Sequence, residues 1–275
     1  MKSIFRPYIL FAKNFSPPFI WNFLKKFKCD YLYYGVYQNF DQVPKEKPWR
    51  EKHFSALYQS KLDAITSSTT KNFIPISSFS GYVVIPCLVV NMMSCKGPVK
   101  VLDFAGGTGV IYYRIRPYLS DPSNVTWDVF DFNKEGLEMG RAFDPKDKNI
   151  QFYSQLPDRI TNCYDVVYIN TALHHFSDYR ANIKELLDFQ PTYFVLTRLL
   201  AGEVPSYVSS VKYPSGKRTP FRVINVLELS EFFNKNGYKL IFKAPTEDLT
   251  KDLFSKDVPE DLKIEFTLTL VFRKD

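Results

Sequence analysis

The sequence predicts an α/β fold: a mostly parallel sheet closed by an antiparallel C-terminal strand and preceded by an N-terminal helical cap. Three observations lead there. Residues 99–119 read as a buried strand, a glycine turn and a helix. Apolar, β-branched runs then alternate with amphipathic helical stretches up to residue 244. The last run, KIEFTLTLVF, places Ile264, Phe266, Leu268, Leu270 and Phe272 at period two, unlike the continuous apolar runs before it. At 275 residues, with 45% hydrophobic and 17% aromatic content, the chain can bury a sizeable core.

In chain order, residues 1–75 form an N-terminal segment and cap, and residues 76–275 the main domain. Six of the 36 lysines and arginines lie within residues 1–28, where there is no acid, leaving 30 bases against 29 acids elsewhere. The basic character belongs to this segment, so the body of the protein gives no reason to expect nucleic-acid binding. Cations interleaved with Phe5, Tyr8, Phe11, Phe15, Phe19, Trp21, Phe23 and Phe27 suit peripheral contact with an anionic membrane. The same aromatics also suit packing against the domain. Phe54, Leu57, Leu62 and Ile65 recur at helical spacing, and Ser67–Thr70 end that helix. Asn72 to Cys95 is uncharged for 24 residues, but Pro75, Pro86, Asn91 and its serines favour a buried helix over a membrane span.

Beyond the glycine turn, strands are expected at VTWDVFDFN, NIQFYSQLP, YDVVYIN, YFVLTRLL and YKLIFKA. Between them lie helices capped by Asn133, by Asp178 and by Asn225, the last with Glu228 at capping-box spacing; Gly237 stops the last helix. Residues 201–224 read as a long loop of lid length. The widely spaced Cys29, Cys87, Cys95 and Cys163 read as reduced core thiols of a cytoplasmic protein. Three histidines, none near a cysteine, argue against a zinc site.

The most informative stretch is VKVLDFAGGTG, residues 99–109. Its strand ends in Asp103-Phe104 and passes into Ala105-Gly106-Gly107-Thr108-Gly109. Glycines there permit positive φ and let a ligand approach the main chain. The dinucleotide fingerprint fails, since its third glycine position is Tyr112. The next strand ends at Asp131, 22 residues beyond Gly109, where a carboxylate can accept hydrogen bonds from both hydroxyls of a ribose. Phe132 can then wall the adenine. A turn or cap role for Asp131 is the structural alternative.

The acid, small residue, paired glycines and following glycine resemble the first motif of the class I S-adenosylmethionine (SAM) methyltransferases. Several segments together, YYGVYQNF, VLDFAGGTG, VTWDVFDF, IQFYSQLP, VLTRL and FRVINVLELSEFFNKNGYKL, look like a methyltransferase family encoded in bacterial surface-polysaccharide gene clusters. That resemblance spans most of residues 31–245. It implies a SAM-dependent O-methyltransferase, cytoplasmic or at the inner face of the membrane, acting on a sugar or activated glycan precursor. It also implies a cofactor site formed by Asp103, Phe104, Ala105, Gly106, Gly107, Gly109, Asp131 and Phe132, with Gln155 after the third strand and Asn170 at the end of the fourth. Two departures stand out: Ser154-Gln155 replaces the usual acid or amide at the adenine, and Ala105 replaces the first glycine.

Candidate chemistry follows from position. His174 and His175 lie just past the fourth strand, at the edge where open α/β sheets bind ligands, so either can serve as general base or pin the loop. Arg198 is the lone charge in an apolar strand, suited to clamping a phosphate or carboxylate or to pairing with a buried acid. Tyr207, Lys212, Tyr213 and Arg218 in the following segment suit an anionic sugar conjugate; a solvated charge run is the alternative. Two competing functions remain: a methyltransferase-like scaffold without catalysis, and a nicotinamide-dependent enzyme, which Tyr112 disfavours.

Overall fold

The structure, a computed structural model, describes residues 32–43, 52–69, 83–119, 121–158, 163–213, 216–248 and 253–275. The basic, aromatic segment 1–28, with Cys29 and its expected membrane contact, lies outside them. Strand β1 (Tyr33–Tyr37) comes first, then α1 (Lys52–Thr69), α2 (Val84–Lys96), β2 (Val99–Phe104) and α3 (Val110–Ile115). Next are β3 (Val125–Phe130), α4 (Lys134–Phe143), β4 (Ile150–Tyr153), β5 (Val166–Asn170), α5 (Tyr179–Leu187) and β6 (Tyr193–Leu199). The chain continues through β7 (Ala201–Gly202), β8 (Tyr207–Lys212), β9 (Arg218–Asn225), α6 (Val226–Lys235), β10 (Tyr238–Asp248) and β11 (Phe266–Lys274).

Seven strands form the main sheet in the order β10-β11-β6-β5-β2-β3-β4. The pairs β2–β3, β2–β5, β3–β4 and β5–β6 are parallel, whereas β11 runs antiparallel to both β6 and β10. The expected α/β sheet with an antiparallel C-terminal strand is therefore present. Successive residues of its strands enter opposite cores. Val101, Val166 and Tyr168 pack with Leu62, Ile85, Val89 and Leu137 on one face; Leu102, Val167 and Ile169 pack with Ile183, Leu186, Leu229 and Phe233 on the other. Burial on both faces explains why these strands are apolar throughout rather than alternating.

The helix expected before β2 is α2, which buries Ile85, Val89 and Met92. Among the described residues no helix is long and apolar enough to cross a membrane. Asp178 caps α5, its carboxylate accepting from Ala181 N at 2.9 Å, and Asn225 caps α6 by accepting from Glu228 N at 2.9 Å. Glu228 does not close the box reciprocally, because its carboxylate accepts instead from Ser206 and Arg180. Asn133 sits at the start of α4 but makes no side-chain cap.

Two expectations are corrected. Residues 201–224 are not an open loop: β7, β8 and β9 join β1 in a second sheet of order β1-β8-β9-β7. Val208, Val211, Phe221, Val223 and Ile224 are buried there, and Tyr33 of β1 and Phe254 complete the apolar layer. Pairing strand 33–37 with strand 207–212 requires contacts across most of the chain, which no local pattern encodes. The cysteines also differ from expectation, since Cys87, Cys95 and Cys163 are exposed rather than in the core.

Candidate functional site

The sheet order reverses between β2 and β5, and open α/β sheets bind ligands in the crevice at that reversal. Backbone conformation marks the place. Ala105, Thr171 and Arg198 have φ of 58°, 56° and 53°, unusual for residues with side chains, and sit at the carboxyl ends of the adjacent strands β2, β5 and β6. Such conformations cost about 1–3 kcal/mol each and cluster at functional sites.

The glycine turn follows β2. A Cβ added to Gly106 would lie 2.5 Å from Cγ of Asp103, so no larger residue fits over that carboxyl group. Asp103 is fully buried; its Oδ2 accepts from Trp127 Nε1 at 3.1 Å, and its Oδ1 has no hydrogen-bond partner among the described residues. Burial pushes its pKa up to about 7, with the charge of Asp131 adding to the shift. Gly107, at φ 60°, donates its N–H to Asp131 Oδ2 at 2.8 Å, while Asn133 N donates to Asp131 Oδ1 at 2.7 Å. Asp131 thus ties the ends of β2 and β3 together, and each of its oxygens keeps a lone pair for a further donor. Burial raises its pKa, opposed by the backbone amides of Asn133, Gly107 and Phe132. Gly109 closes the turn by donating to Gly106 O and leads into α3.

Phe132 is 60% exposed yet sits on an aromatic cluster, edge-on to Phe130 at 4.9 Å and to Phe104 at 6.1 Å, with Phe176 at 5.7 Å. Phe104 itself is buried beneath it. Asn170 is held through its Oδ1, which accepts from Thr197 Oγ1 at 3.0 Å and from Thr171 Oγ1 at 3.1 Å, leaving its amide N–H groups for other partners. Gln155 is exposed two residues past β4.

The second sheet covers the ends of β5, β6 and β11. Between the two layers is a cavity of about 170 Å³. Thr171, His174, His175, Arg198 and Leu200 line it from the main sheet, Thr267 from β11, and Tyr33, Val211 and Tyr213 from the cover. His174, His175, Arg198 and Tyr213 are thus brought together. The other candidates are not in its lining. Tyr207 is buried in the core beneath the second sheet with its hydroxyl on Leu262 O at 2.9 Å. Lys212 extends the β8 pairing by donating its backbone N–H to Leu32 O, and the Arg218 guanidinium stacks 4.0 Å over the ring of Tyr34.

The two histidines, indistinguishable in sequence, differ in environment. His175 Nδ1 faces Pro220 O at 3.4 Å, and a carbonyl can only accept, so Nδ1 carries the proton and Nε2 holds the lone pair. His174 is the opposite tautomer, its Nδ1 accepting from Leu200 N at 3.5 Å. Burial lowers the pKa of His175 to about 4, against the raising effect of the Pro220 carbonyl. Burial also lowers that of His174, helped by His175 and Arg198. Both rings are neutral near pH 7, with centroids 4.5 Å apart.

Sequence reasoning found the buried Leu62 and Ile65 of α1 but missed Tyr58, on the part of the helix that meets the glycine turn. The ring of Tyr58 covers the glycine turn, 3.6 Å from where a Gly107 Cβ would be. Burial first, then Asp131 and Tyr213, push its pKa up to about 12, against a hydrogen bond with the Asn133 side chain. Tyr58 therefore stands between the turn and Tyr213 of the cavity wall. The only sequence signal for it was the helical period of its neighbours, which marks the buried face but not the one over the site.

No protein-family model and no curated protein matches the chain. Among solved structures it is similar to the 1,6-didemethyltoxoflavin-N1-methyltransferase of Burkholderia thailandensis, at 14% identity and a TM-score of 0.47, over 84% of this chain and 93% of that one. It is also similar to a SAM-dependent methyltransferase from Clostridium acetobutylicum, at 11% identity and 0.47, over 78% and 98% of the two chains. The cyclase SpnF is similar at 13% identity and 0.47, over 69% and 79%. The sheet described above is mostly parallel with an antiparallel C-terminal strand. A fold of this kind hosts more than one chemistry, so function must be argued from the site.

Proposed function

We propose that the protein is a SAM-dependent O-methyltransferase whose acceptor is a small anionic molecule, a sugar or activated glycan precursor for a surface polysaccharide. The observation behind this reading is the cavity holding His174, His175 and Arg198 beside a glycine turn closed by Asp131. The residues fit the cofactor. Gly106 and Gly107 leave the main chain bare, Asp131 keeps lone pairs for a ribose diol, and Phe132 offers a supported aromatic face for an adenine. Asp103 Oδ1 lacks a partner in a buried position, an acceptor for an ammonium brought close or bridged by water. When bound, SAM supplies an electrophilic methyl group on a sulfonium.

The remaining work falls to the chain. A cavity of about 150 Å³ holds one benzene ring, so this one suits a single sugar ring rather than an extended glycan. Tyr33 and Tyr213 offer stacking faces, and Arg198 offers a bidentate donor for the acceptor's anionic group. His175, oriented by the Pro220 carbonyl, presents Nε2 to take the proton of an attacking hydroxyl. His174 holds its neighbour in place and stays neutral. Exclusion of water by the second sheet and alignment of the acceptor supply the rest of the acceleration. Residues 1–28 would hold the enzyme near lipid-linked precursors through cation–lipid attraction.

Calorimetry with SAM and with NAD tests the cofactor, and mass spectrometry of surface glycans from cells with and without the gene tests the acceptor. Binding of NAD in preference to SAM overturns the reading. An unchanged methyl content of the glycans overturns the polysaccharide assignment alone.

A further inference from the structure

Beneath the crevice, β5 and β6 carry polar side chains where apolar ones would pack as well. Tyr168 of β5 is fully buried in an apolar cluster, and Thr197 of β6 is 1% exposed. Valine would fill the space of Thr197 with no hydroxyl to satisfy, so packing alone does not account for the threonine. The parallel register sets Asn170 opposite Thr197, and Tyr168, two residues before Asn170, lies on the same face. The three side chains meet there. Thr197 Oγ1 donates to Asn170 Oδ1 at 3.0 Å and lies 2.9 Å from the Tyr168 hydroxyl. A hydroxyl has one proton, and that of Thr197 goes to Asn170, so Tyr168 donates to Thr197 Oγ1.

Thr171 completes the arrangement. Its backbone N–H donates to Thr197 O at 3.0 Å, and its hydroxyl donates to Asn170 Oδ1 at 3.1 Å. That hydroxyl comes from a residue at φ 56°, a conformation rare for a β-branched side chain. Both lone pairs of Asn170 Oδ1 are then used, and turning the carboxamide over would exchange an acceptor for a donor at two hydroxyls. Its N–H groups point away from both threonines, at a strand end beside Ala105, since Ile169 pairs with Phe104. Trp127 does the same for β2: its ring lies 6.2 Å from that of Tyr168, and its Nε1 donates to Asp103. The buried aromatic layer thus sends one polar tip to each side of the strand reversal.

We propose that Thr197 is a positioning residue for the cofactor: backed by Tyr168, it fixes the Asn170 carboxamide with its N–H groups as donors to an oxygen of SAM. An asparagine free to rotate offers either end to a ligand. One held by two hydroxyls offers only donors and loses less freedom on binding. The role rests on the methyltransferase reading of the site.

Calorimetric titration of the full chain with SAM tests it. Wild type should bind, Thr197→Val should weaken binding by about fivefold, and Thr197→Ser, which keeps the hydroxyl, should stay within about twofold of wild type. Thr197→Val removes an acceptor of the buried Tyr168 hydroxyl and so lowers stability. Tyr168→Phe combined with Thr197→Val removes both partners, and this better-folded variant should show the same loss of SAM affinity. In an Asn170→Ala background, Thr197→Val should change SAM affinity by less than about twofold, because its effect passes through Asn170; a packing role would give the same loss in both backgrounds. Wild-type affinity in Thr197→Val, an equal loss in Thr197→Ser, or a loss undiminished without Asn170 overturns the positioning role alone. Failure of the wild type to bind SAM overturns the methyltransferase reading, and the role with it.

Discussion

Replacing Asp103 with asparagine tests the electrostatics under the glycine turn. The Asp103 pKa rises from an ordinary 3.8 to about 7 because burial disfavours its charge and Asp131 lies nearby. Between those two values the folded protein binds more protons than the unfolded chain, so this group's contribution to stability falls as pH rises. At 1.36 kcal/mol per pH unit, the penalty grows from nothing below pH 4 to about 4 kcal/mol above pH 7. Asparagine has no such charge. Its carbonyl oxygen can keep the bond from Trp127 Nε1, but its NH₂ takes the place of Oδ1, where no partner is present. Burying that donor costs about 1–3 kcal/mol at every pH. Asp103→Asn should therefore be less stable than wild type at pH 4 by about 1–3 kcal/mol and more stable at pH 8 by a similar margin. His175, whose pKa is lowered to about 4, adds stability as pH rises from about 4 to 6.5, and His174, lowered by burial, acts in the same direction, but both do so in both proteins. The difference between the two proteins isolates Asp103. Urea unfolding followed by tryptophan fluorescence at pH 4 to 8 measures it. A stability difference that does not change with pH refutes a raised Asp103 pKa.

His175→Ala should lower turnover by about 10²–10⁴ with SAM affinity preserved, and the His174 replacement should cost less, because only His175 presents its Nε2 lone pair; equal losses in both, or none, would refute the tautomer assignment. Because His175 stays neutral down to a pKa of about 4, its acid limb in kcat should fall below pH 5 rather than near 6.5. Asp131→Ala should weaken SAM binding by about tenfold or more in calorimetry, since charge-assisted hydrogen bonds are lost, and unchanged affinity would remove the ribose assignment. Phe132→Ala should weaken SAM binding while leaving the melting temperature nearly unchanged, as the side chain is mostly exposed; a stability loss like that of a core phenylalanine would mean it acts as packing. Gly106→Ala should lose about 1–3 kcal/mol of stability in denaturant titration, from the contact its Cβ would make with Asp103.

The sequence by itself determined the main sheet and the turn. Strands buried on both faces must be apolar throughout, so β2, β3, β5 and β6 stand out as runs, and a turn that passes over a buried carboxyl group must use glycine at Gly106. Asp131 was legible for the same local reason, lying at the end of the next strand. The tertiary structure alone decided the cover of the site. Strand β1 reaches β8 only through pairing across most of the chain, and the local β8–β9 hairpin buries its residues only under that cover, so 201–224 reads locally as a loop, and Tyr207 as a ligand residue rather than core. The tertiary structure also decided which histidine nitrogen is protonated, because that depends on the carbonyl of Pro220 and the amide of Leu200, brought near by the second sheet and by β6. Tyr58 was invisible for a related reason: a helix's period shows which face is buried, while what its other face meets depends on the fold around it.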